Sequence, residues 1–489
     1  MSSNSADHLD GRLLAVIGVV LLGGLLGILN STMAAVATDT LAQIFGTSLS
    51  TIGWASTGFL LAVTATIPFT TWAVDRFGGR RLWLAGLALF AAGSLGAGLA
   101  WDVGALIAFR VLQGFGAGLL DPLVLILLAR AAGPHRAGRV MGLMGVVLSL
   151  GPVLGPIAGG VVLDGLSWRW MFLISVSLAA VAYVLAWRVI PGGGPGGPGG
   201  PGAEAAGGAV AGRLDVLGLA LLGPGFAAVV LALSQTAEQG GLAAWQALLP
   251  LAFGAALLLG YGVHARRQAA PLIDLRLFAG RGFSASVAIM GIGGLGLYAA
   301  LFALPLYYQQ AHGHGVLAAG LLMTPIGLGG SLAMPLAGRV SDRLDPRGLA
   351  AGGAAASALS ALALTRMGAD TPEVWPVLAA FVFGLGSGCF SAPAMGSLYR
   401  TLPAPLVAQG SSVLYMLNQL GAALGVALVT FVVQTAGDPI AGFHGVAWLS
   451  TAMIVIVLAA VPLLPGRPSV AAAPVEAETE GRAGSSQSV

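Results

Sequence analysis

The hydrophobic and polar positions of this chain alternate on the scale of membrane spans. Apolar runs of about twenty residues, each long enough to cross a bilayer as a helix, are separated by short polar segments. This pattern predicts fourteen transmembrane helices and therefore an all-α integral membrane protein. The predicted spans are 13–36, 52–73, 82–100, 104–129, 140–163, 170–190, 214–234, 244–264, 283–308, 318–340, 349–367, 374–398, 407–433 and 446–464.

The order of these spans divides the chain into two similar halves. Residues 1–190 hold six predicted helices, and 283–465 hold six more. Residues 191–212 are too rich in Gly and Pro to form a span, and we predict a cytoplasmic linker there. Two inserted helices and a connecting loop occupy 213–282, and a polar cytoplasmic tail is expected at 466–489.

Composition and charge agree with a membrane protein. Only 8% of the residues are charged, against roughly 25% in soluble domains. Most of the 22 basic residues fall in segments on the side of the N-terminus, which predicts a multi-pass protein of the cytoplasmic membrane with both termini in the cytoplasm. The formal charge of +3 gives no reason to expect nucleic acid as a partner.

The side chains that usually carry enzymatic or metal chemistry are sparse. Cys389 is the sole cysteine, which excludes an intramolecular disulfide and a cysteine metal cluster. His312 and His314 fall in a predicted outer loop without further ligands, so we expect no metal site. With no convincing nucleophile–base pair and no phosphate-binding loop, we expect neither an enzyme nor a cofactor.

The most informative stretch is GVVLSLGPVLGPIAGG at 145–160. Glycines recur at four-residue spacing and share one helix face, which lets another helix approach its backbone in lipid. Two prolines remove backbone hydrogen bonds and are expected to bend the helix. A kinked packing helix in any polytopic membrane protein is the alternative. The positions concerned are Gly145, Gly151, Pro152, Gly155, Pro156, Gly159 and Gly160.

This stretch resembles the antiporter motif G-x(5)-G-P-x-x-G-P-x-x-G-G of major facilitator superfamily (MFS) exporters. WASTGFLL at 54–61, SWRWMF at 167–172 and PLIDLRLF at 271–278 are similar to stretches of the fourteen-helix drug:proton antiporters of the EmrB/QacA type. The resemblance implies the MFS fold, with two six-helix bundles and two inserted helices. The two halves of that fold are related by a parallel repeat.

An Asp-Arg loop occurs in both halves. DRFGGRR at 75–81 follows the second span, and GRVSDR at 338–343 lies in the equivalent loop of the second half. The first copy resembles the MFS signature between helices two and three, which implies a conformational gate built from ion pairs at helix ends. The alternative is a plain positive-inside loop, which explains the arginines but not the Asp-Arg pattern. The predicted gating residues are Asp75, Arg76, Arg80, Arg81, Asp342 and Arg343.

RVLQG at 110–114 resembles the fourth-helix motif R-x-x-Q-G. The resemblance implies that Arg110 and Gln113 take part in proton coupling. An arginine inside a span is costly and is a functional-site hypothesis by default. A structural ion pair, or an arginine whose head reaches the interface, is the alternative reading.

The first helix departs from the family pattern. These antiporters usually carry a membrane-embedded acid where this chain has Asn30, and an amide cannot titrate. Asp121, in GLLDPLVLILLA, has no basic neighbour in sequence and lies about 16 Å along the axis from Arg110 on one helix face. Because desolvation disfavours a charged carboxylate, we expect Asp121 to carry the proton. The alternative is a purely structural group that hydrogen-bonds across the Pro122 kink or to a neighbouring helix.

The substrate cavity is expected near the midplane, where the two halves meet. Aromatic and amide side chains at helical spacing on the ninth and thirteenth spans suit a large, partly apolar organic molecule. Helix–helix packing explains the same spacing equally well. The candidate cavity residues are Asn30, Tyr298, Phe302, Tyr308, Ser411, Tyr415, Asn418 and Gln419.

These observations favour a proton-driven exporter that works by alternating access. The expected substrates are antibiotics, drugs or a secondary metabolite, taken as small amphipathic molecules. The expected partners are protons and the lipid bilayer, and the functional unit is expected to be a monomer. A translocase of lipids or lipoconjugates is the first alternative, and a membrane sensor or scaffold that has lost transport is the second.

Overall fold

A computed structural model describes residues 11–132, 137–191, 214–239 and 244–466. Among these residues, fourteen helices are long and apolar enough to cross a membrane, which confirms the predicted number. The predicted linker beyond residue 191 and the predicted tail beyond residue 466 lie outside the described residues. The helices are α1 (Gly11–Val36), α2 (Thr38–Phe45), α3 (Leu49–Phe77), α4 (Gly79–Gly98), α5 (Val103–Ala132), α6 (Ala137–Gly165), α7 (Arg169–Val189), α8 (Val216–Gln239), α9 (Trp245–Arg267), α10 (Arg281–Gln310), α11 (Val316–Leu322), α12 (Thr324–Arg343), α13 (Pro346–Leu364), α14 (Val374–Thr401), α15 (Val407–Ala436) and α16 (Pro439–Ala460).

The spans form two six-helix bundles, as the resemblance implies. In the N-terminal bundle, α5 packs between α3 and α4, while α1 packs against α6 and α7. In the C-terminal bundle, α14 packs between α12 and α13, and α10 packs against α15 and α16. These helices can approach one another closely because small residues lie at their contacts. A Cβ added at Gly116 of α5 would lie 2.8 Å from the Cα of Phe90 on α4, so nothing larger than glycine fits.

Two local features were not predicted. The first span is followed by α2, a short helix that ends at Phe45. The next residue, Gly46, caps it with a φ of 58°, which glycine adopts without steric cost. The tenth span is broken at Met323 into α11 and α12. Pro325 explains the break, since proline has no N–H to donate and is accommodated in the first turn of a helix.

The two bundles meet through a small set of helices. α6 packs on α12 and α14, and α15 packs on α3 and α5. We call the side at which α1 begins the proximal side. There, a Cβ on Gly142 of α6 would lie 2.6 Å from the carbonyl oxygen of Met334 on α12. Near the distal end of α6, a Cβ on Gly160 would lie 3.8 Å from Leu317. Along this seam the bundles are therefore packed more tightly on the proximal side.

Candidate functional site

A buried polar network surrounds Arg110 inside the N-terminal bundle. Its Nη1 donates to Asn30 Oδ1 and to Gln113 Oε1, each at 2.6 Å, and its Nε donates to the carbonyl oxygen of Ala55 at 3.2 Å. Asn30 in turn donates to Ser175 Oγ at 2.9 Å. Gln113 likewise donates to Ser94 Oγ of α4 at 2.6 Å, so the network around Arg110 joins five spans, α1, α3, α4, α5 and α7.

The same guanidinium is held between aromatic rings and has no carboxylate partner among the described residues. Its central carbon lies 4.2 Å from the ring centroid of Phe59 and 5.8 Å from that of Phe172, distances at which a cation is attracted to a ring face. Nη2 is buried without a hydrogen-bond partner in the described part of the chain. Arg110 is 1% exposed, which leaves no room for the alternative of an arginine head at the interface.

Asp121 lies in different surroundings on the same helix. Its side chain is partly exposed, and within the described ranges it forms no hydrogen bond or ion pair. Its Oδ1 would lie 3.5 Å from a Cβ at Gly27 of α1, so the missing side chain of Gly27 leaves space beside the carboxyl group. Tyr298 of α10 and Tyr415 of α15, which belong to the other bundle, lie within electrostatic range of Asp121.

A cleft lies between α6 and the C-terminal bundle. It holds ≈ 730 Å³ of space between atoms, a figure that includes the open solvent at its mouth. Its wall is apolar, glycine-rich and uncharged, with a few hydroxyl and amide groups. Ser387 Oγ is buried there without a partner among the described residues. The lining includes Ser149, Pro152, Met290, Tyr298, Met334, Ser387, Phe390, Ser391 and Asn418.

The cavity residues expected from sequence are distributed over several environments. Tyr298 and Asn418 line the cleft, and Tyr415 is partly buried beside them in the C-terminal bundle. Ser411 and Tyr308 are fully buried among their own helices, and Phe302 is 47% exposed. Two others lie away from the wall: Asn30 in the Arg110 network and Gln419, which is partly buried on α15.

The glycine face of α6 packs against α1. Cβ atoms at Gly151 and Gly159 would lie 2.5 Å from Ile28 Cγ2 and 3.3 Å from Met33 Cα, and one at Gly155 would fall on Thr32 Oγ1. The other motif glycines face the C-terminal bundle, with Gly145 against Met334 and Gly160 near Leu317. Helix α6 continues through Pro152 and Pro156 as a single element, and Pro152 lines the cleft.

The first Asp-Arg loop forms an ion pair at the proximal end of the N-terminal bundle. Asp75, at the end of α3, accepts from Arg130 of α5 at 2.8 Å. Arg80 donates to the carbonyl oxygen of Trp187 on α7, while Arg76 and Arg81 are exposed. In the second copy the side chains of Asp342 and Arg343 lie outside the described residues.

Several polar contacts were not predicted from the sequence. Asp215, 8% exposed at the start of α8, contacts His264 Nε2 of α9 at 2.8 Å. On the distal side His314 contacts Glu373 at 2.5 Å and His312 contacts the Tyr307 hydroxyl at 3.0 Å. An acid at the edge of an apolar run was a usable signal for Asp215. Its partner, 49 residues away, depends on how the two inserted helices cross.

Comparison with known families gives one matching model. The model of the Major Facilitator Superfamily matches residues 20–426, with a second match over 287–487. The chain is also similar to solved structures of transporters. A proton:xylose symporter bound to 6-bromo-6-deoxy-D-glucose superposes with a TM-score of 0.67 at 16% identity, covering 94% of this chain and 97% of that one. At that identity the likeness concerns the fold alone.

Curated relatives align along most of the chain. A multidrug resistance protein B homolog of Mycobacterium tuberculosis is 36% identical over 429 residues, which cover 87% of this chain and 77% of the relative. A puromycin resistance protein of Streptomyces alboniger is 30% identical over 432 residues, covering 87% and 83%. A lincomycin resistance protein of Listeria innocua is 27% identical over 430 residues, covering 87% and 88%.

Proposed function

This chain belongs to the major facilitator superfamily, and we propose that within it the protein is a proton-driven exporter of antibiotics, toxic drugs or a secondary metabolite. The two bundles rock about a central site that opens alternately to the two sides of the membrane. Relatives named for multidrug, puromycin and lincomycin resistance support export of foreign or toxic compounds. We further propose that both termini lie in the cytoplasm and that the monomer is the functional unit.

The substrate binds in the cleft between α6 and the C-terminal bundle. Met290, Met334 and Phe390 offer a deformable apolar wall, and Ser387 and Asn418 offer hydrogen bonds without charge. This combination suits amphipathic molecules of varied shape, since methionine side chains adapt to irregular surfaces and a few polar groups fix orientation.

Asp121 carries the proton. The observation that supports this role is its position: it belongs to the N-terminal bundle, lies within electrostatic range of two tyrosines of the other bundle, and has no fixed partner among the described residues. Loading or releasing a proton there changes the interaction between the bundles. Arg110 and Gln113 act on coupling indirectly, because they hold α5 in register with its neighbours. The ion pair between Asp75 and Arg130 serves the gate at the proximal side.

The proposal is tested by expressing the protein in a drug-sensitive bacterium and measuring accumulation of the dye ethidium. We expect the dye to accumulate less than in cells carrying the empty vector, and a protonophore to remove the difference. Efflux that persists unchanged after collapse of both the proton gradient and the membrane potential would rule out secondary transport. A Gly155→Leu variant with normal membrane insertion is the inactive control, since leucine is itself compatible with lipid.

A further inference from the structure

The two inserted helices, α8 and α9, are packed together as one unit. A Cβ on Gly254 of α9 would lie 2.8 Å from the carbonyl oxygen of Gly225 on α8. Backbones this close are typical of tightly associated membrane helices. α9 makes its main contact with α8, and its outward face is largely exposed. The position of the pair is therefore decided by what α8 and the proximal ends of both helices contact.

Hydrogen bonds attach the proximal end of this pair to the loop that leads into the C-terminal bundle. Asp215 of α8 binds His264 of α9 at 2.8 Å and also accepts from the backbone N–H of Leu272 at 3.3 Å. The hydroxyl of Tyr261 donates to the carbonyl oxygen of Ile273 at 2.8 Å and accepts from its N–H at 2.7 Å. The loop is thus fastened at three backbone groups to the inserted pair.

The same loop is fastened to the C-terminal bundle. The N–H of Asp274 donates to Gln409 Oε1 of α15 at 2.8 Å. A 3-10 helix follows at Leu275–Ala279, and its Phe278 makes an edge-to-face contact with Phe283 of α10, the ring centroids 5.6 Å apart. The connection from α9 to α10 is short, running from 268 to 280. Directional bonds and a short tether therefore join the pair to this bundle.

The contact of the pair with the N-terminal bundle has a different character. α8 packs along α3, where a Cβ on Gly223 would lie 2.7 Å from the carbonyl oxygen of Ala65. At this point glycine faces alanine, and the backbones approach as closely as those of α8 and α9. Van der Waals contacts of this kind have no directional preference, unlike the hydrogen bonds to the loop. The chain that returns to α7 runs from 190 to 215, a longer tether than the one to α10.

The pair also lies over a boundary between the bundles. α3 and α15 touch each other, and α8 packs on both. When the bundles rock, α3 and α15 change their relative position, and a helix in contact with both can follow only one of them. The hydrogen bonds through residues 272–274 fasten the pair toward the C-terminal bundle, so we expect it to follow α15.

We infer that the inserted pair moves with the C-terminal bundle as one body, and that the face between α3 and α8 is the sliding surface of the transport cycle. By sliding, α8 keeps the boundary between α3 and α15 covered in both conformations, so that lipid does not enter between the bundles there. This inference rests on the proposed alternating access.

Distances between three spin-labelled positions test the inference. In a Cys389→Ala background, exposed residues near the proximal side are replaced pairwise by cysteine: Arg188→Cys in the N-terminal bundle, Arg266→Cys in the inserted pair and Thr401→Cys in the C-terminal bundle. Each pair of cysteines is spin-labelled, and double electron–electron resonance then gives the distance between the labels in lipid nanodiscs at acidic and at alkaline pH. The measurements are repeated with Gly142→Trp, which must push α6 away from Met334.

We expect the distance between the bundles, 188 to 401, to change, the distance from 188 to 266 to change with it, and the distance from 266 to 401 to stay constant. A constant 188–266 distance with a changing 266–401 distance would show that the pair moves with the N-terminal bundle, and would overturn the inference. A change in both would make the pair an independent body, with the same consequence. If 188–401 stays fixed under pH change and in Gly142→Trp, the rocking motion itself is absent, and the proposed function fails together with the inference.

A second variant tests the attachment. Tyr261→Phe removes both hydrogen bonds to Ile273 and keeps the ring. We expect the 266–401 distance distribution to broaden while 188–401 is unchanged. Tyr183→Phe, on the exposed surface of α7, is the matched control. An unchanged 266–401 distribution in Tyr261→Phe would mean that these bonds do not fasten the pair.

Discussion

Two ionisable side chains on α5, three helical turns apart, stand in opposite surroundings. Arg110 is enclosed in the N-terminal bundle with defined partners on α1, α3 and α5. Asp121 faces the other bundle and forms no hydrogen bond among the described residues, although two tyrosines there lie within electrostatic range of it. The difference separates a side chain with fixed partners inside one bundle from a side chain that, as we propose, responds to the distance between bundles.

The same contrast applies to the helices around them. The face of α6 toward α1 is closed by glycines, so that the two helices lie in close contact. The face of α6 toward the C-terminal bundle borders the cleft and carries Ser149 and Pro152. We therefore expect changes inside the bundle to lower stability and activity together, and changes at the interface to alter activity alone.

The largest expected effect concerns the interface. Asp121→Asn keeps the shape of the side chain and removes the ability to carry a proton. In proteoliposomes we expect uphill transport driven by a pH gradient to be abolished, while dye binding and the melting temperature are retained. Asp102→Asn, at the exposed start of α5, is the matched control, because asparagine can still accept from the Ala105 N–H that Asp102 binds at 2.7 Å. Normal uphill transport by Asp121→Asn would place the proton carrier elsewhere.

The next effect concerns the closed face of α6. Gly155→Leu places a side chain where Thr32 of α1 already lies, so we expect transport to fall nearly to background and the melting temperature to drop. Gly165→Leu is the control on the same helix, since nothing lies within 4 Å of a Cβ added there. The comparison is made by dye efflux and by thermal unfolding of both variants. Equal activity of the two would show that the α1–α6 face tolerates separation.

Part of this organisation was predictable from sequence. The fourteen spans and the family follow from long apolar runs and from motifs such as the one at 145–160, because span length and glycine spacing are local properties. Asp121 was singled out because a carboxyl group inside an apolar span is costly. The break at Met323 also has a local signal, because Pro325 lies in the first turn of α12.

The partners of these residues were not predictable, because they depend on how helices cross. Asn30 was expected in the cavity, and its amide instead joins Arg110 to Ser175, a residue 145 positions away in sequence. Tyr308 shares a helical spacing with Tyr298 but is fully buried, because its end of α10 packs within the C-terminal bundle. Periodicity identifies a helix face, and the neighbouring helix decides whether that face meets a cavity or a protein core.

A smaller effect is expected inside the N-terminal bundle from Arg110→Lys. Lysine keeps the charge but cannot reach Ala55, Asn30 and Gln113 together or stack on Phe59. Each buried acceptor left unsatisfied costs about 1–3 kcal/mol, so both the melting temperature and the transport rate should fall. Arg169→Lys is the control, since Arg169 also stacks on a ring, that of Trp168, but is exposed. A normal melting temperature with lost transport would instead give Arg110 a direct part in coupling.

The smallest effect is expected from Asn30→Asp. This variant also tests most directly the difference between the surroundings of Arg110 and those of Asp121 on α5. The new carboxylate would accept from Arg110 Nη1, which now binds the Asn30 amide oxygen at 2.6 Å, and would make that bond charge-assisted. Against this gain, Ser175 loses the hydrogen bond that it now accepts from Asn30 Nδ2 and must turn its hydroxyl away from the Met171 carbonyl oxygen to donate to the carboxylate. The gain from the charge-assisted bond is slightly larger than the loss at Ser175. We therefore expect a net stabilisation of about 1 kcal/mol, seen as a slightly higher melting temperature with transport retained.

The informative measurement is the double variant Asn30→Asp with Asp121→Asn. If proton coupling requires a carboxyl group that faces the other bundle, an acid fixed to Arg110 within the N-terminal bundle cannot replace it, and uphill transport stays absent. Restored uphill transport would show that an acid works equally well in either position. In that case the difference in surroundings between residues 30 and 121 would not decide which group carries the proton, and the division between a holding and a responding side chain on α5 would be wrong.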